Sequence, residues 1–201
     1  MLSIIVLTNN EEKHIRACLD SIREFADELF VLDSGSQDRT IEIAREAGVR
    51  VEERPFDDYP HQRNAAIDLA RGDWVCFIDA DERMTPALGK ELRAKIAQAD
   101  ERRAQGEPAS VGFWIPRKNI IFGKWIRYTG WSPDFQPRVL KKGLARFDTA
   151  RPVHELILWQ GEAGYLSELL VHYNYETLAQ FREKQERYTR YEAKEWYDAG
   201  R

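Results

Sequence analysis

The sequence predicts an α/β protein built on one mostly parallel, doubly wound sheet, and three observations carry that prediction. Short apolar, β-prone runs alternate with segments of helical periodicity through the first hundred residues. The run 74–79, Trp-Val-Cys-Phe-Ile-Asp, is apolar at nearly every position, the pattern of a strand covered on both faces. Three of these runs end on polar loops, 8–11, 33–38 and 79–82, which are expected to meet at the carboxyl edge of the sheet, where open α/β sheets bind ligands.

The elements follow in order. Residues 2–7 read as a first strand, and Thr8, Asn9, Asn10 and Glu11 supply small polar groups able to cap a helix. Ile15, Cys18, Leu19, Ile22 and Ala26 then form a helical stripe suited to lie on a sheet. The unit repeats as strand 29–32, loop 33–40 and helix 41–47, with Gly48 in the left-handed cap position. Residues 49–52 are a third strand, 62–70 a helix closed by Gly72, and 74–79 the central strand. Thr85 as N-cap with Pro86 in the first turn starts a helix expected to run to about Ala99, followed by an exposed charged loop over 100–110.

Composition changes after that loop. From 112 to 175 aromatics and short β-like runs dominate (113–115, 139–140, 156–159, 169–171), with Gly161 and Gly164 marking a hairpin. Mixed or antiparallel strands extending the sheet are expected here. Thr177 and Gln180, spaced as a capping box, open a final helix that mixes Phe181, Tyr188, Tyr191, Trp196 and Tyr197 with Arg and Lys, a composition compatible with packing by one face or with an anionic membrane surface. One domain is expected over 1–201, with a ligand-binding half (1–99), an aromatic half (111–175) and a C-terminal helix (177–198).

With 201 residues, 43% hydrophobic, the chain can bury one real core. A net charge of −4 offers no basic field, so no nucleic-acid partner is expected. Cys18 and Cys76 sit in apolar patterns and suggest neither a disulfide framework nor a zinc site, consistent with a reducing compartment. The apolar start lacks a basic flank and is too short for a signal peptide or a membrane span, so it reads as the first strand of a cytoplasmic protein.

The chemistry concentrates at Asp79-Ala-Asp81-Glu82. Two carboxylates two residues apart at a strand end point the same way if the chain stays extended, and hard oxygens suit a Mg or Mn ion that also holds phosphate. These residues do not stand alone. Ile-Ile-Val-Leu-Thr-Asn-Asn-Glu (4–11), Asp-Ser-Gly-Ser-Gln-Asp-Arg-Thr (33–40), Gln-Arg-Asn (62–64) and Asp-Ala-Asp-Glu (79–82) resemble, in order and spacing, the family 2 inverting glycosyltransferases of GT-A fold. Gly-Trp-Ser-Pro-Asp (130–134), Arg-Val-Leu-Lys-Lys (138–142) and Val-His-Glu (153–155) are similar to the lipopolysaccharide core β-glucosyltransferase branch. The similarity covers nearly the whole chain, and four motifs in order carry it where a lone Asp-x-Asp would not.

The resemblance implies a Rossmann-like central sheet flanked by helices, with a mixed β extension on the acceptor side. It points to Thr8, Asn10, Glu11 and Asp33 for the nucleotide base, with a carboxylate accepting the imide N–H of uracil and hence a UDP-sugar donor. Gly35 lets backbone approach closely. Position 34 is Ser where many members carry a second Asp. Arg63 and Asn64 match the stretch lining the nucleotide pocket, and Arg138 is placed to offset diphosphate charge. Asp81 maps onto the metal ligand, while Asp79 holds ribose or reaches the metal through water, and His154 completes the metal shell. Inversion needs one base, for which Glu155 and Asp134 are the candidates and Glu155 is preferred. The acceptor implied is a lipopolysaccharide-core or other lipid-linked saccharide at the cytoplasmic face of the inner membrane. Branch members often continue with a membrane-docking tail beyond the point where this chain stops.

Two other classes fit less well. A haloacid-dehalogenase-type phosphohydrolase also places Asp-x-Asp after an apolar strand, but wants a small hydroxyl residue where Arg83 stands. A non-catalytic sugar-nucleotide-binding or membrane-scaffold protein would not need Asp79, Asp81 and Glu155 together.

Overall fold

The computed structural model describes residues 1–128, 130–150 and 156–198, without the side chains at 183, 187, 188, 191, 192, 194–196 and 198 of the last helix. The candidate residues His154 and Glu155 therefore lie outside the described residues. The first half runs β1 (Leu2–Thr8), α1 (Ile15–Ile22), β2 (Glu28–Asp33), α2 (Thr40–Glu46), β3 (Arg50–Glu53), α3 (Tyr59–Leu69), β4 (Trp74–Asp79), β5 (Glu82–Arg83) and α4 (Pro86–Ala104). The second half runs β6 (Gly112–Ile121), β7 (Lys124–Trp125), β8 (Asp134–Lys141), β9 (Ala145–Phe147), β10 (Ile157–Trp159), β11 (Ala163–Tyr165), β12 (Leu170–Tyr175) and α5 (Leu178–Asp198).

The central sheet has the order β3-β2-β1-β4-β8-β6-β12-β5. β3, β2, β1 and β4 are parallel, β8 turns antiparallel against β4, and β12 runs parallel to β6. Strand order reverses direction between β1 and β4, which makes the carboxyl ends of these two strands a topological switch point.

Alternation explains how both faces are filled. On β1 and β4, Leu2, Ile4, Val6, Trp74, Cys76 and Ile78 enter one core, which α1, α2 and α4 cover with Leu19, Ala44, Leu88 and Leu92. Ile5, Val75 and Phe77 point the other way, onto Ala66 and Ile67 of α3 and Phe147 and Ile157 of β9 and β10. Each fully buried aliphatic side chain contributes about 1.5–3 kcal/mol. Both cysteines are buried and free, and burial pushes their thiols up.

Several local expectations need correction. α4 continues to Ala104 because Asp100 accepts a hydrogen bond from the buried Trp74 indole N–H (3.0 Å) and from Lys141 (2.9 Å), anchoring a segment whose composition reads as loop. The glycine-marked segment is not a hairpin, since β10 pairs with β9 while β11 joins β6 in parallel. Gly112 explains part of that crossing, because the Trp159 ring lies where a Cβ would stand (2.2 Å), leaving room only for glycine. The capping box at Thr177 and Gln180 is reciprocal, at 3.2 Å each way.

Candidate active site

The loops after β1 and β2 are laced together by side chains that replace a regular helix cap. Asn10 is left-handed (φ 58°), and its N–H donates to Ser36 Oγ (2.8 Å). The Glu11 N–H donates to Thr40 Oγ1 (2.7 Å), the Glu12 N–H to Asp38 (3.0 Å), and the Gln37 N–H to Asn10 Oδ1 (2.7 Å). α1 therefore starts only at Ile15, without a side-chain cap, which corrects the helix-capping expectation for residues 8–11.

Asp33 holds the second loop in shape. It is fully buried, and its carboxylate accepts from the N–H groups of Gly35 (2.9 Å) and Ser36 (2.7 Å), from Thr8 Oγ1 (2.8 Å) and from Ser36 Oγ (2.6 Å). A carboxylate offers about four lone-pair positions, so an imide N–H meets no open acceptor there. At Gly35 a φ of +92° demands glycine by itself, and no protein atom lies within 4 Å of the place a Cβ would take.

The chain turns directly after Asp79, so the two motif carboxylates have different neighbours, against the expectation that they point the same way. Asp79 is paired with both terminal nitrogens of Arg138, which also donates to Glu82 (2.6 Å), and Arg63 stands 3.8 Å away. Arg138 and Glu82 are buried. Burial disfavours ionised Asp79, but Arg138 and Arg63 outweigh it and hold the carboxyl well below the usual range. Glu82, buried beside ionised Asp79, is pushed up instead, although Arg138 opposes the rise. Arg63 is further fixed over the rings of Phe77 (5.0 Å) and Phe147 (5.5 Å). Asn64 makes paired hydrogen bonds with the backbone of Phe147 (2.9 and 3.0 Å), which occupies it in joining α3 to β9.

Asp81 faces the opposite way. It helps line a cavity of about 380 Å³ with Asn10, Glu11, His14, Tyr173 and Lys184. Burial and the neighbouring Asp81 raise the Glu11 carboxyl to about 7, with Lys184 opposing. Burial lowers His14. Asp81 Oδ2 lies 3.5 Å from Nε2 of His172, a buried histidine on β12.

Asp134 is held mainly through Oδ2, with one partner on Oδ1. It accepts from Arg117 (2.8 Å), Asn119 (2.8 Å) and Gln136 (2.7 Å), and although burial works against it, these partners keep its carboxyl below the usual range. A general base needs a free lone pair and a pKa near the working pH. Asp134 has the surroundings of a structural anion.

A family model described as glycosyl transferase family 2 matches residues 3–148, most of the chain. The chain belongs to glycosyl transferase family 2. Its GT-A fold is shared by S. aureus TarS, residues 1–349, solved with UDP-GlcNAc, which superposes over 86% of this chain and 59% of that one with a TM-score of 0.59 at 18% identity, a likeness of fold. The lipopolysaccharide core biosynthesis glycosyltransferase LpsC of Rhizobium meliloti is 30% identical over 81% of this chain. A TPR repeat-containing protein of Synechococcus elongatus is 34% identical over 78%. The chain spans 59% and 35% of the lengths of these two relatives.

Within this family 2 domain, the structure brings Thr8 to Asp33 and sets Arg63, Asp79 and Arg138 together at the switch point, while Asp81 sits apart with Glu11. His172, Asn119 and Arg117 were missed by sequence reasoning. Their signal was present as polar residues at alternate positions on apolar strands, Arg117 and Asn119 in β6 and His172 in β12.

Proposed function

We propose that this family 2 domain is a metal-dependent inverting glycosyltransferase that moves a hexose from a UDP-sugar to a lipopolysaccharide-core or other lipid-linked saccharide. The observation that carries the reading is the pair of carboxylates at the carboxyl end of β4, one neutralised by arginines and the other left facing a histidine across 3.5 Å. The likeness to LpsC supports the acceptor class, and the motifs at 8–11, 33–40 and 79–82 support a uridine nucleotide.

Among the described residues no group of three or more His, Cys, Asp or Glu is placed to hold a metal, but two protein donors fit a divalent cation whose other positions are filled by phosphate and water. Asp81 would supply a hard oxygen and His172 a ring nitrogen, 3.5 Å apart. When bound, the ion stabilises negative charge on the departing diphosphate as a Lewis acid. Asp81 and His172 would hold it, and His154 is a further candidate from outside the described residues. Arg138 and Arg63 keep Asp79 ionised beneath the nucleotide, where its exposed third is free to accept from ribose hydroxyls. Thr8, Asp33 and Gly35 shape the base-binding loop, with Asn10 and Glu11 at its rim and Asn64 bracing its far wall. With Asp134 engaged, Glu155 is the base that takes the proton from the acceptor hydroxyl.

No helix among the described residues is long and apolar enough to cross a membrane. In α5, Phe181 packs on Tyr175 (5.0 Å) and Phe122 (6.4 Å), and Lys184 lies over Tyr175, so this end of the helix is spent on the fold. Peripheral contact with the cytoplasmic face of the inner membrane is part of the same proposal, supported by the aromatic and basic composition of the final helix.

Calorimetric titration of UDP, GDP and CDP, with Mn and then with chelator, tests the reading. UDP alone is expected to bind, and only with the metal. Failure of all three nucleotides, or binding that ignores the chelator, overturns it.

A further inference from the structure

The surroundings of His172 contain more information than its distance to Asp81. Strand register sets His172 opposite Asn119 on β6, Leu170 opposite Arg117, and Arg117 opposite Asp134 on β8, so a row of polar side chains crosses three strands beneath the site. Asn119 is fully buried. Its amide nitrogen donates to the Trp131 carbonyl (3.0 Å) and to Asp134 Oδ2 (2.8 Å), two partners that can only accept. The orientation of the amide is therefore decided, and its oxygen must face His172 Nδ1 at 2.7 Å. That oxygen can only accept, so Nδ1 carries the proton. In the neutral ring, Nε2 is then a bare lone pair 3.5 Å from the Asp81 carboxylate. Two acceptors face each other in a nearly closed space, with side-chain exposures of 8% and 18%, an arrangement that a cation between them satisfies.

We propose that Asn119, itself oriented by Asp134, is the positioning residue that holds His172 in the Nδ1–H tautomer and so turns the Nε2 lone pair toward Asp81 to receive a divalent cation. Asp134 thereby acts through Asn119 and not on the acceptor. The inference rests on the assignment of Asp81 and His172 as the metal donors given above. Arg117, bonded to Asp134 (2.7 Å) and 3.7 Å from Glu82, ties this row to the Arg138 cluster and keeps Asp134 ionised. The orientation of Asn119 therefore cannot reverse without placing its oxygen against an anion.

The tautomer is read directly from nitrogen-15 chemical shifts of the histidine rings in the metal-free chain at about pH 8. His172 is assigned by its loss in His172→Gln, among four histidines. A protonated Nδ1 is expected, and a protonated Nε2 overturns the proposal without any variant of Asn119. Affinity for Mn2+ alone, measured by electron paramagnetic resonance, is the second readout. Loss of a ligand's outer partner typically weakens metal binding about 10–100-fold. Asn119→Leu is expected to show that loss. If His172→Gln leaves Mn2+ affinity unchanged, the metal assignment itself fails. If His172→Gln weakens binding but Asn119→Leu, shown folded by its melting transition, does not, the positioning role fails while the metal assignment stands.

Discussion

Asp79 and Asp81 stand two residues apart at the end of β4, yet they occupy opposite electrostatic surroundings. Asp79 is clamped by Arg138, with Arg63 close behind, and stays ionised at any ordinary pH. Among the described residues, Asp81 has no arginine clamp of that kind. It shares its cavity wall with Glu11, whose carboxyl it helps raise to about 7, and it confronts the lone pair of His172. The cause is the single turn at Ala80, which sends one side chain toward β8 and the other toward β12. The difference teaches that an Asp-x-Asp motif names two carboxylates but does not make them equivalent. One is already supplied with arginine cations, and the other stands beside a histidine and a second carboxylate.

The largest effect that sharpens this contrast is expected at Asp81. Asp81→Ala should abolish transfer, by at least about 10³-fold, and remove the metal dependence of UDP binding, because a ligand to the ion is gone. UDP titration with and without Mn checks both. Asp79→Asn should instead weaken UDP binding while Mn2+ alone still binds, and equal loss of Mn2+ binding in both variants would erase the distinction.

Next comes the base. Glu155→Gln should keep UDP affinity and lose transfer by about 10²–10⁴-fold, the usual contribution of a general base. Asp134→Asn should bind Mn2+ less tightly but retain turnover at saturating metal. A dead Asp134→Asn beside an active Glu155→Gln, measured in a UDP-release assay, would reverse the assignment.

Removing the clamp should cost stability before it costs chemistry. Arg138→Met leaves buried Glu82 beside partly exposed Asp79 without their cation, and removing the partner of a buried charge in this way costs about 3–5 kcal/mol. Urea unfolding measures it, and a change under about 1 kcal/mol would show that the two carboxylates share a proton instead.

The smallest effect is a pH dependence at Glu11. Its folded pKa lies above the unfolded value, so its contribution to stability is complete below about 4.5 and is lost as pH rises through about 7. Glu11→Gln, melted with chelator present, should therefore gain on the parent at pH 8 by about 1–2 kcal/mol, discounted for partial exposure, and the gain should vanish near pH 4. A difference that does not vary with pH would mean that Asp81 and burial do not perturb Glu11.

Much of this molecule was readable from local pattern. Alternating strand and helix units, the doubly buried run 74–79, the Thr85 cap and the reciprocal box at Thr177 all follow from side chains within a few residues of one another. The same locality explains the misses. Residues 100–104 are helical because Asp100 meets Trp74 and Lys141, 26 and 41 residues away. The loop after β1 is shaped by Ser36, Asp38 and Thr40 of the next loop rather than by a cap of its own.

The sequence by itself determined the fold class, the family and the presence of two carboxylates at a ligand-binding edge, because hydrophobic periodicity and motif spacing are properties of neighbouring residues. Only the tertiary structure decided what surrounds each carboxylate. Arg138 reaches Asp79 across 59 positions and His172 reaches Asn119 across 53, through the register of strands that local pattern cannot pair. An antiparallel β8 delivers the cation that quiets Asp79, and a parallel β12 delivers the lone pair that faces Asp81. The charge environment of a motif is set by which strands lie beside it, and that is a long-range property of the folded chain.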